Sequence, residues 1–333
     1  MKFFTLIVLI TIYTLCHAQD IHFTQFYASP LTLNPASTGH FEGNLRIMNN
    51  IRKQWKAIPV PYNTVTIGAD KHITESEQPL SLGVIAIHDQ SAGILAVNKF
   101  YISASLPVKI GSTKLHIGLQ GGLVMKSYPL NQLTFPQQFD MSTGYFNSGL
   151  NNSEANLDQN LFYPDFNAGA LWTWKKEKTE VEIGYALFHL TQPRETFLPG
   201  SNKLPLRNVA HGGAKFFIHP KIFIWPNIIM MQHQKANTLM AGSNLGFMLP
   251  GNHLNANYIF AGSLFRDGVK RNYDAIAFIA GIKFINLEIG ISYDINMSAL
   301  ETATHNRGAF EISIIYITGI PALKNKTIPC ERL

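Results

Sequence analysis

"LEIGISYDIN", residues 287–296, alternates large apolar residues with small or acidic ones over its whole length. Successive side chains of a strand point to opposite faces, so this stretch predicts one apolar face and one polar face. The same alternation recurs in "AFEISIIYI" at 309–317, "EVEIGYALF" at 180–188 and "NTVTIGADK" at 63–71. One face suited to lipid and one suited to a polar interior are what a transmembrane β-barrel requires.

The two-residue period, followed along the whole chain, predicts an all-β fold: a transmembrane antiparallel β-barrel of about fourteen strands. An even strand number is expected of a bacterial single-chain barrel. The predicted strands cover residues 44–54, 62–70, 80–88, 96–106, 113–126, 165–174, 180–188, 210–218, 222–232, 238–248, 253–263, 273–283, 286–295 and 308–317.

The lengths of the connections alternate as well. Joints from even to odd strands are short, as in "KKEKT" at 175–179 and "HPK" at 219–221. Joints from odd to even strands are mostly longer and include residues 127–164, 189–209, 264–272 and 296–307. Outer-membrane barrels have short periplasmic turns and longer external loops, so this alternation predicts that both chain ends are periplasmic.

The composition favours a membrane barrel over other classes. Charged residues make up 14% of the chain, against about 25% in soluble domains. A soluble β-sandwich also alternates, but its outer face would be rich in Lys, Glu and Asp, whereas the polar face here is mostly Gly, Ser, Asn and Thr. The net charge of +6 is scattered, and without a basic stripe it does not indicate nucleic acid binding.

The N-terminus has the organisation of a secretory signal peptide over residues 1–18, with an apolar run at 3–15 and a cleavage-type end at Ala18. The apolar run is too short for a membrane anchor, and the residues before Cys16 do not fit a lipoprotein. Export leaves Cys330 as the single cysteine, so no intramolecular disulfide can stabilise the mature chain. No linker divides the remainder, which predicts one domain.

"FTQFYASPLTLNPASTG", residues 23–39, does not fit a central strand because Pro30 and Pro35 lack the backbone donor that a sheet needs. Its aromatic residues still need burial. We therefore expect residues 19–43 to form a compact, plug-like periplasmic segment at the mouth of the barrel or partly inside its lumen.

Charged residues within strands are expected to face the lumen, because an Arg or Lys at the bilayer centre costs about 2–4 kcal/mol. Paired with one another, they would form an interior ion-pair network; they are Arg46, Arg52, Asp70, Glu182, Glu288, Asp294 and Glu311. Aromatic residues near strand ends are expected in the interfacial girdles; they are Trp55, Tyr128, Trp172, Trp174, Trp225 and Tyr273.

No catalytic, metal or cofactor site is predicted. His88, Asp89 and Ser91 allow a hydrolase reading, but no second signature supports it, and Asp and Gly commonly form turns at a strand end. The histidines form no zinc pattern, and "GLQGG" at 118–122 lacks the strand-to-helix setting of a phosphate loop. Those glycines are expected to thin the wall where another element packs inside.

Eight stretches, in order, carry a resemblance to the PorP/SprF membrane proteins of the type IX secretion system of Bacteroidetes. They are "FTQFYASPLTLNPASTG", "NIRKQWKAIPVPYNTVTIGAD", "IHDQSAG", "GLQGGLVMKSYPLNQLTFPQQFD", "YPDFNAGALW", "HLTQPRETF", "YDINMSALETATHNRGAFEISIIYI" and "IPCERL". Together they cover essentially the whole mature chain.

The resemblance implies a non-enzymatic outer-membrane component of the secretion and gliding machinery. Its implied partners are outer-membrane lipid, a periplasmic ring lipoprotein and an exported cargo or adhesin with a C-terminal sorting domain. The barrel would cover residues 44–317, and a periplasmic tail would cover 318–333. The family-motif residues with an expected structural or docking role are Phe26, Tyr27, Asn34, Pro35, Gln54, Trp55, Asp89, Asp165 and Glu311.

A porin or a fatty-acid-type transporter for small solutes is the alternative function, because such barrels have similar strand numbers. The predicted lumen-facing set contains no apolar stripe, which a fatty-acid pathway would favour. A lumen filled by a plug and by ion pairs would favour the secretion role, whereas a large, stable conductance would favour the porin.

Overall fold

The structure is a computed structural model. It describes residues 20–55, 61–73, 79–91, 93–129, 133–147, 149–150, 160–197, 200–249, 256–269, 273–298 and 304–319. The predicted signal peptide and the predicted tail beyond Gly319 lie outside the described residues.

Antiparallel strands close into a barrel in which, across the described residues, fourteen strands pair in sequence order. Two further short strands, β6 and β7, form a hairpin of their own within one connection. The strands are β1 (Leu45–Gln54), β2 (Tyr62–His72), β3 (Ser81–Ser91), β4 (Leu95–Ile110), β5 (Thr113–Ser127), β6 (Phe139–Asp140), β7 (Tyr145–Phe146), β8 (Asn160–Lys176), β9 (Thr179–Phe188), β10 (Arg207–His219), β11 (Ile222–His233), β12 (Ala236–Met248), β13 (Ala256–Asp267), β14 (Tyr273–Phe284), β15 (Leu287–Asn296) and β16 (Arg307–Thr318).

Closure of the barrel joins the first strand to the last. Strand β1 pairs with β16 without interruption, from Leu45 opposite Thr318 to Gln54 opposite Ala309. Lipid offers no partners to backbone N–H and C=O groups, so a spanning sheet must close and leave no free edge. The prediction of a closed antiparallel barrel of about fourteen strands is confirmed.

Each predicted strand corresponds to a barrel strand, but several strands are longer than predicted. The strand predicted at 165–174 covers Asn160–Lys176, and the one predicted at 96–106 covers Leu95–Ile110. Alternation of apolar and polar residues is needed only where a strand crosses hydrocarbon. The hydrogen-bonded ladder continues beyond that zone, where the sequence pattern no longer marks it.

The two ends of the barrel differ in the length of their connections. At one end, here called the turn end, residues 111–112, 177–178, 220–221 and 285–286 each join two strands. At the other, the loop end, residues 128–159 and 189–206 form the long connections, although residues 234–235 join β11 to β12 there in a tight turn. Residues 92–94 at the loop end form a short connection as well, and residues 73–80 and 249–255 form longer connections at the turn end. The predicted alternation is therefore correct for most connections but not for all.

The outward face of the strands is apolar, and the inward face is polar or packed. Ile102 and Leu119 are 65% and 63% exposed on the outside, whereas Asp294 and Arg52 are buried on the inside. Among the described residues, helices are short, and none has the length and apolar character needed to cross a membrane.

Candidate functional site: a segment held inside the lumen

Residues 20–43, here called the lumenal segment, fold into consecutive short turns. A 3-10 turn at Phe26–Ala28 is followed by the one-turn helix α1 (Pro30–Leu33) and a second 3-10 turn at Pro35–Ser37. The two prolines that exclude a strand each begin a helical turn, where a missing N–H costs nothing. The sequence thus produces a compact peptide.

The lumenal segment runs through the barrel from one end to the other. Its C-terminal end leads into Leu45 at the turn end, whereas Asp20 contacts Lys99 near the start of β4 and Arg207 at the start of β10, both at the loop end. The segment therefore lies deeper than the mouth of the barrel. Asp20 and Thr318 lie at opposite ends of the barrel. The periplasmic position of both chain ends stays a prediction.

Four buried charged residues form what we call the Arg52 cluster: Arg52, Arg266, Asp294 and Glu311. Arg52 donates to Asp294 at 3.1 Å and pairs closely with Glu311. Arg266 donates to Asp294 at 2.8 Å and to Asp274 at 2.5 Å. The predicted interior ion-pair network is confirmed for Arg52, Asp294 and Glu311, which together with Arg266 neutralise one another on the inner face of the barrel.

The Arg52 cluster holds the beginning of the lumenal segment through its backbone. The Glu311 carboxylate accepts hydrogen bonds from the backbone N–H of Thr24 at 2.6 Å and of Gln25 at 3.0 Å. The Thr24 hydroxyl donates to Asp294 at 2.9 Å and accepts from Arg52 at 2.9 Å. Hydrogen bonds to a charged group are stronger than neutral ones, so this contact fixes the segment firmly.

A second ion pair holds the other end of the lumenal segment. Arg46 donates to both carboxylate oxygens of Asp70, at 2.9 and 2.7 Å. Asp70 also accepts the backbone N–H of Gly39 at 2.7 Å, and Arg46 donates to the backbone oxygens of Ser37 and His40. The bidentate pair therefore binds the segment as it leaves the lumen.

The middle of the segment lies in close contact with the barrel wall. Asn34 accepts the N–H of Ala36 at 2.9 Å and donates to the backbone oxygen of Ala170 at 3.0 Å. A Cβ at Gly118 would lie 2.3 Å from the backbone nitrogen of Ala36, and one at Gly169 would lie 2.0 Å from the Asn34 side chain. The expectation that glycine at 118 thins the wall for an inner element is confirmed.

Aromatic residues of the segment pack against one side of the lumen. The ring of Tyr27 lies 4.6 Å from that of Trp225, which in turn lies 6.3 Å from Phe260. Phe26 belongs to the same buried apolar cluster, together with Phe260. The prediction that Trp225 belongs to an interfacial girdle is therefore wrong: its position places it on the inner face, where Tyr27 covers it.

A third charged group surrounds the tip of the segment. Asp20 accepts from Lys99 at 2.6 Å and from Arg207 at 2.7 Å, and His189 lies 3.4 Å from it. Burial alone would raise the pKa of the Asp20 carboxyl, but Lys99, Arg207 and His189 outweigh it and hold that pKa well below its usual range. Asp20 is thus an anion held by cations of the wall.

The comparisons with known proteins agree with this architecture. Residues 15–316 match the model of the family described as type IX secretion system membrane protein PorP/SprF. The chain belongs to the PorP/SprF family. Among curated proteins, none matches the sequence at a significant level.

Solved structures similar to this PorP/SprF chain are outer-membrane barrels. The CymD monoaromatic hydrocarbon channel is 10% identical with a TM-score of 0.50, covering 88% of this chain and 93% of that one. The Acinetobacter baumannii outer membrane protein Omp33 is 8% identical with a TM-score of 0.43, covering 83% of this chain and 98% of that one. At such identity the likeness to CymD shows the fold alone.

The structure brings seven of the nine family-motif residues to the lumenal segment or to the wall that binds it; their docking role stays a prediction. Phe26, Tyr27, Asn34 and Pro35 lie in the segment, and Glu311 binds its backbone. Asp165 accepts from the Tyr101 hydroxyl at 2.8 Å and pairs with His189, which also contacts Asp20. Gln54 accepts hydrogen bonds from Arg52 of the cluster at 3.3 and 3.2 Å. The remaining two lie elsewhere: Trp55 at the loop end of β1, and Asp89 on β3.

Asp89 does not form a hydrolytic arrangement with its neighbours. It accepts hydrogen bonds from Thr64 at 2.6 Å and from Ser91 at 2.9 Å. His88 lies on the opposite, exposed face of β3 and pairs with Asn98 at 2.8 Å. A triad needs the histidine between the hydroxyl and the acid, and here the acid contacts the hydroxyl directly.

Several residues of the site were not among those predicted. Lys99, His189, Arg207 and Arg266 all face the lumen and contact the segment or the Arg52 cluster. Alternation along β4, β10 and β13 assigns three of them to the inner face, which is the signal that could have found them. Within the described ranges, no group of His, Cys, Asp and Glu is arranged to hold a metal ion.

Proposed function

We propose that this PorP/SprF protein is a non-enzymatic outer-membrane component of the type IX secretion machinery that acts through its two ends, not through an open pore. The observation that carries the proposal is the lumenal segment, which crosses the lumen and is bound at both ends and in its middle. A lumen held closed in this way leaves the turns, the loops and the tail as the functional surfaces.

The alternative, a transporter for small solutes, requires an open path through the same lumen. Three charged groups and a close-packed middle would have to release the segment before a solute could pass. A planar-bilayer recording tests this alternative: we expect no stable conductance for the full chain. A large, steady conductance of the unmodified protein would favour a porin.

The loop end is proposed to contact exported cargo. The hairpin of β6 and β7 exposes Met141, Tyr145 and Phe146, which are 91%, 77% and 53% exposed. Exposed apolar residues grouped on a loop tip are common at protein contact sites. The turn end, together with the tail of residues 318–333, is proposed to contact the periplasmic ring lipoprotein.

Cysteine labelling tests the orientation that this assignment needs. In a background with Cys330→Ser, single cysteines replace Ser142 at the hairpin tip or Lys178 in a turn-end connection. A membrane-impermeant maleimide added to intact cells should label position 142 and spare position 178, whereas lysed cells should be labelled at both. Labelling of 178 alone on intact cells would invert the topology.

Replacement of the hairpin tests its role in cargo attachment. A chain in which residues 139–146 become a Gly/Ser linker should still reach the membrane as a folded, heat-modifiable barrel. We expect that cells with this chain release sorting-domain proteins into the medium instead of retaining them. Normal retention of sorting-domain proteins on these cells would show that the hairpin is not part of the cargo site.

The absence of enzymatic activity is open to direct measurement. The purified protein should hydrolyse neither phospholipid nor peptide. Activity that Ser91→Ala abolishes would contradict the proposal.

A further inference from the structure

A carboxylate at the loop end of the lumen is held by cations from separate parts of the wall. Lys99 of β4 donates to Asp20 Oδ1 at 2.6 Å, and Arg207 at the start of β10 donates to Oδ2 at 2.7 Å. His189, just after β9, brings its Nε2 to 3.4 Å from Oδ2. These three residues are fixed by the barrel, whereas the carboxylate belongs to the tip of the lumenal segment.

The charges of this group balance only while Asp20 is in place. Lys99 and Arg207 are 6% and 7% exposed, and within the described residues each makes its ion pair with Asp20 and with no other acid. The second acid nearby, Asp165, is directed to Tyr101 and to Nδ1 of His189 instead. Two buried cations without an anion are unfavourable, so an empty site would attract another one.

The contacts of the tip are separate from those that hold the rest of the segment. The next charged anchor along the segment is at Thr24, which Glu311 holds independently. The site also has free space: a cavity of about 20 Å³ lies beside Asp20 between Leu31, Lys99 and Arg207. This volume suffices for a water molecule, so a carboxylate could exchange through hydrated intermediates.

We propose that Lys99, His189 and Arg207 form a carboxylate-binding site, filled by Asp20 in the closed state and by a carboxylate of another polypeptide when the tip withdraws. A polypeptide is favoured because the adjoining wall already recognises peptide groups: Gln120 donates to the backbone oxygen of Leu31 at 3.1 Å. The identity of that polypeptide as exported cargo rests on the proposed function, since the site lies at the loop end.

Chemical rescue of an Asp20→Gly variant tests the site. The purified full-length variant should unfold at a lower temperature than the unmodified protein. Sodium acetate should raise that temperature progressively with the logarithm of its concentration, as expected when a ligand binds only the folded state. Sodium chloride at equal ionic strength should not, and the unmodified protein, whose site is filled, should respond equally to both salts.

The double variant Asp20→Gly with Lys99→Met is the matched control, because it lacks one of the cations that would bind acetate. Its response to acetate should fall to that of chloride. An equal acetate effect in both variants, or no acetate effect in Asp20→Gly, would overturn the site. Asp20→Ala, which also vacates the space of the carboxylate, serves the same test if the glycine variant is not recovered folded.

Peptide ligands in the same experiment distinguish a polypeptide from a free acid as the occupant of the site. Triglycine, which ends in a carboxylate, should stabilise Asp20→Gly more than acetate does at the same concentration, and more than triglycine amide does. Equal effects of triglycine and acetate would overturn the polypeptide as occupant, and equal effects of the two peptides would overturn the carboxylate as the group that is bound. Neither result depends on cargo retention by cells, so a failure of the proposed function would be recognised separately.

Discussion

The two ends of the lumenal segment and its middle are held by different kinds of contact. At the ends, Glu311 and Asp70 bind backbone N–H groups of Thr24 and Gly39 while pairing with arginines. In the middle, Asn34 and its neighbours touch wall positions that have no room for a Cβ. Charges fix where the segment lies along the lumen, whereas shape fixes its local conformation.

Substitutions at the charged ends are expected to cost more stability than substitutions in the packed middle. Each acid there binds an arginine of the wall and an N–H of the segment at once, so removal of the acid takes a partner from both. Breaking a buried ion pair costs about 3–5 kcal/mol, whereas overpacking a well-packed site costs about 1–3 kcal/mol. The following changes separate these contributions.

Deletion of residues 20–39 removes both kinds of contact and should have the largest effect. The barrel loses buried side chains such as Phe26 and Leu31, each contributing about 1.5–3 kcal/mol, and Lys99 and Arg207 lose Asp20. We expect the loss of stability to exceed that of any single substitution in the lumen. Thermal unfolding in detergent measures it; unchanged stability would show that the segment contributes nothing to the barrel.

Glu311→Ala removes one charged end alone. Arg52 keeps Asp294 but loses its second acid, and two N–H groups of the segment lose their acceptor. We expect the free energy of unfolding to fall by about 3–5 kcal/mol. Glu180→Ala, which removes an exposed acid at the turn end, is the control and should change it little. Equal losses of stability in the two variants would show that the charged end contributes no more than an exposed acid does.

Gly118→Ala tests the packed middle. The added Cβ would lie 2.3 Å from the Ala36 nitrogen, a backbone atom that can move only with the segment. We expect a loss of about 1–3 kcal/mol. Gly121→Ala on the same strand meets only the Phe166 ring on the outer face, and it should be milder in the same denaturation assay. A larger loss of stability in Gly121→Ala than in Gly118→Ala would show that the segment moves away from the added Cβ at little cost.

The barrel could be predicted from the sequence because a physical constraint repeats in every strand. Each strand separates lipid from lumen, so residues such as Ile289 and Glu288 must alternate, and local sequence carries the signal. The inward position of Arg52 and Glu311 followed from the same rule. The lengths of β4 and β8 did not follow, because no alternation is required outside the hydrocarbon zone.

The path of the lumenal segment could not be predicted in this way. The partners of Asp20 lie 79 and 187 residues away in Lys99 and Arg207, and no local period relates them. Trp225 shows the intermediate case. Its place between Ile224 and Pro226 already indicated the inner face, but only the presence of Tyr27 explains why an aromatic residue is stable there.

His22, beside the Arg52 cluster, allows the smallest of these effects to be measured. Burial, and then the charges of Arg266 and Arg52, lower its pKa to about 3, and its Nε2 has no hydrogen-bond partner among the described residues. The unfolded chain binds this proton near pH 6.5. Stability is therefore full above about pH 6.5 and falls as the pH drops toward 3.

His22→Gln removes this titration and should flatten the pH dependence of unfolding. Relative to pH 7.5, the unmodified protein should lose about 1 kcal/mol more than the variant at pH 5.5, because the unfolded histidine gains its proton there and the folded one does not. Thermal unfolding across that range, with both proteins in the same detergent, gives the difference. Parallel pH profiles would show that His22 takes up its proton in the folded lumen. The Arg52 cluster would then accept an additional positive charge, which contradicts a cluster whose two arginines and two acids balance each other.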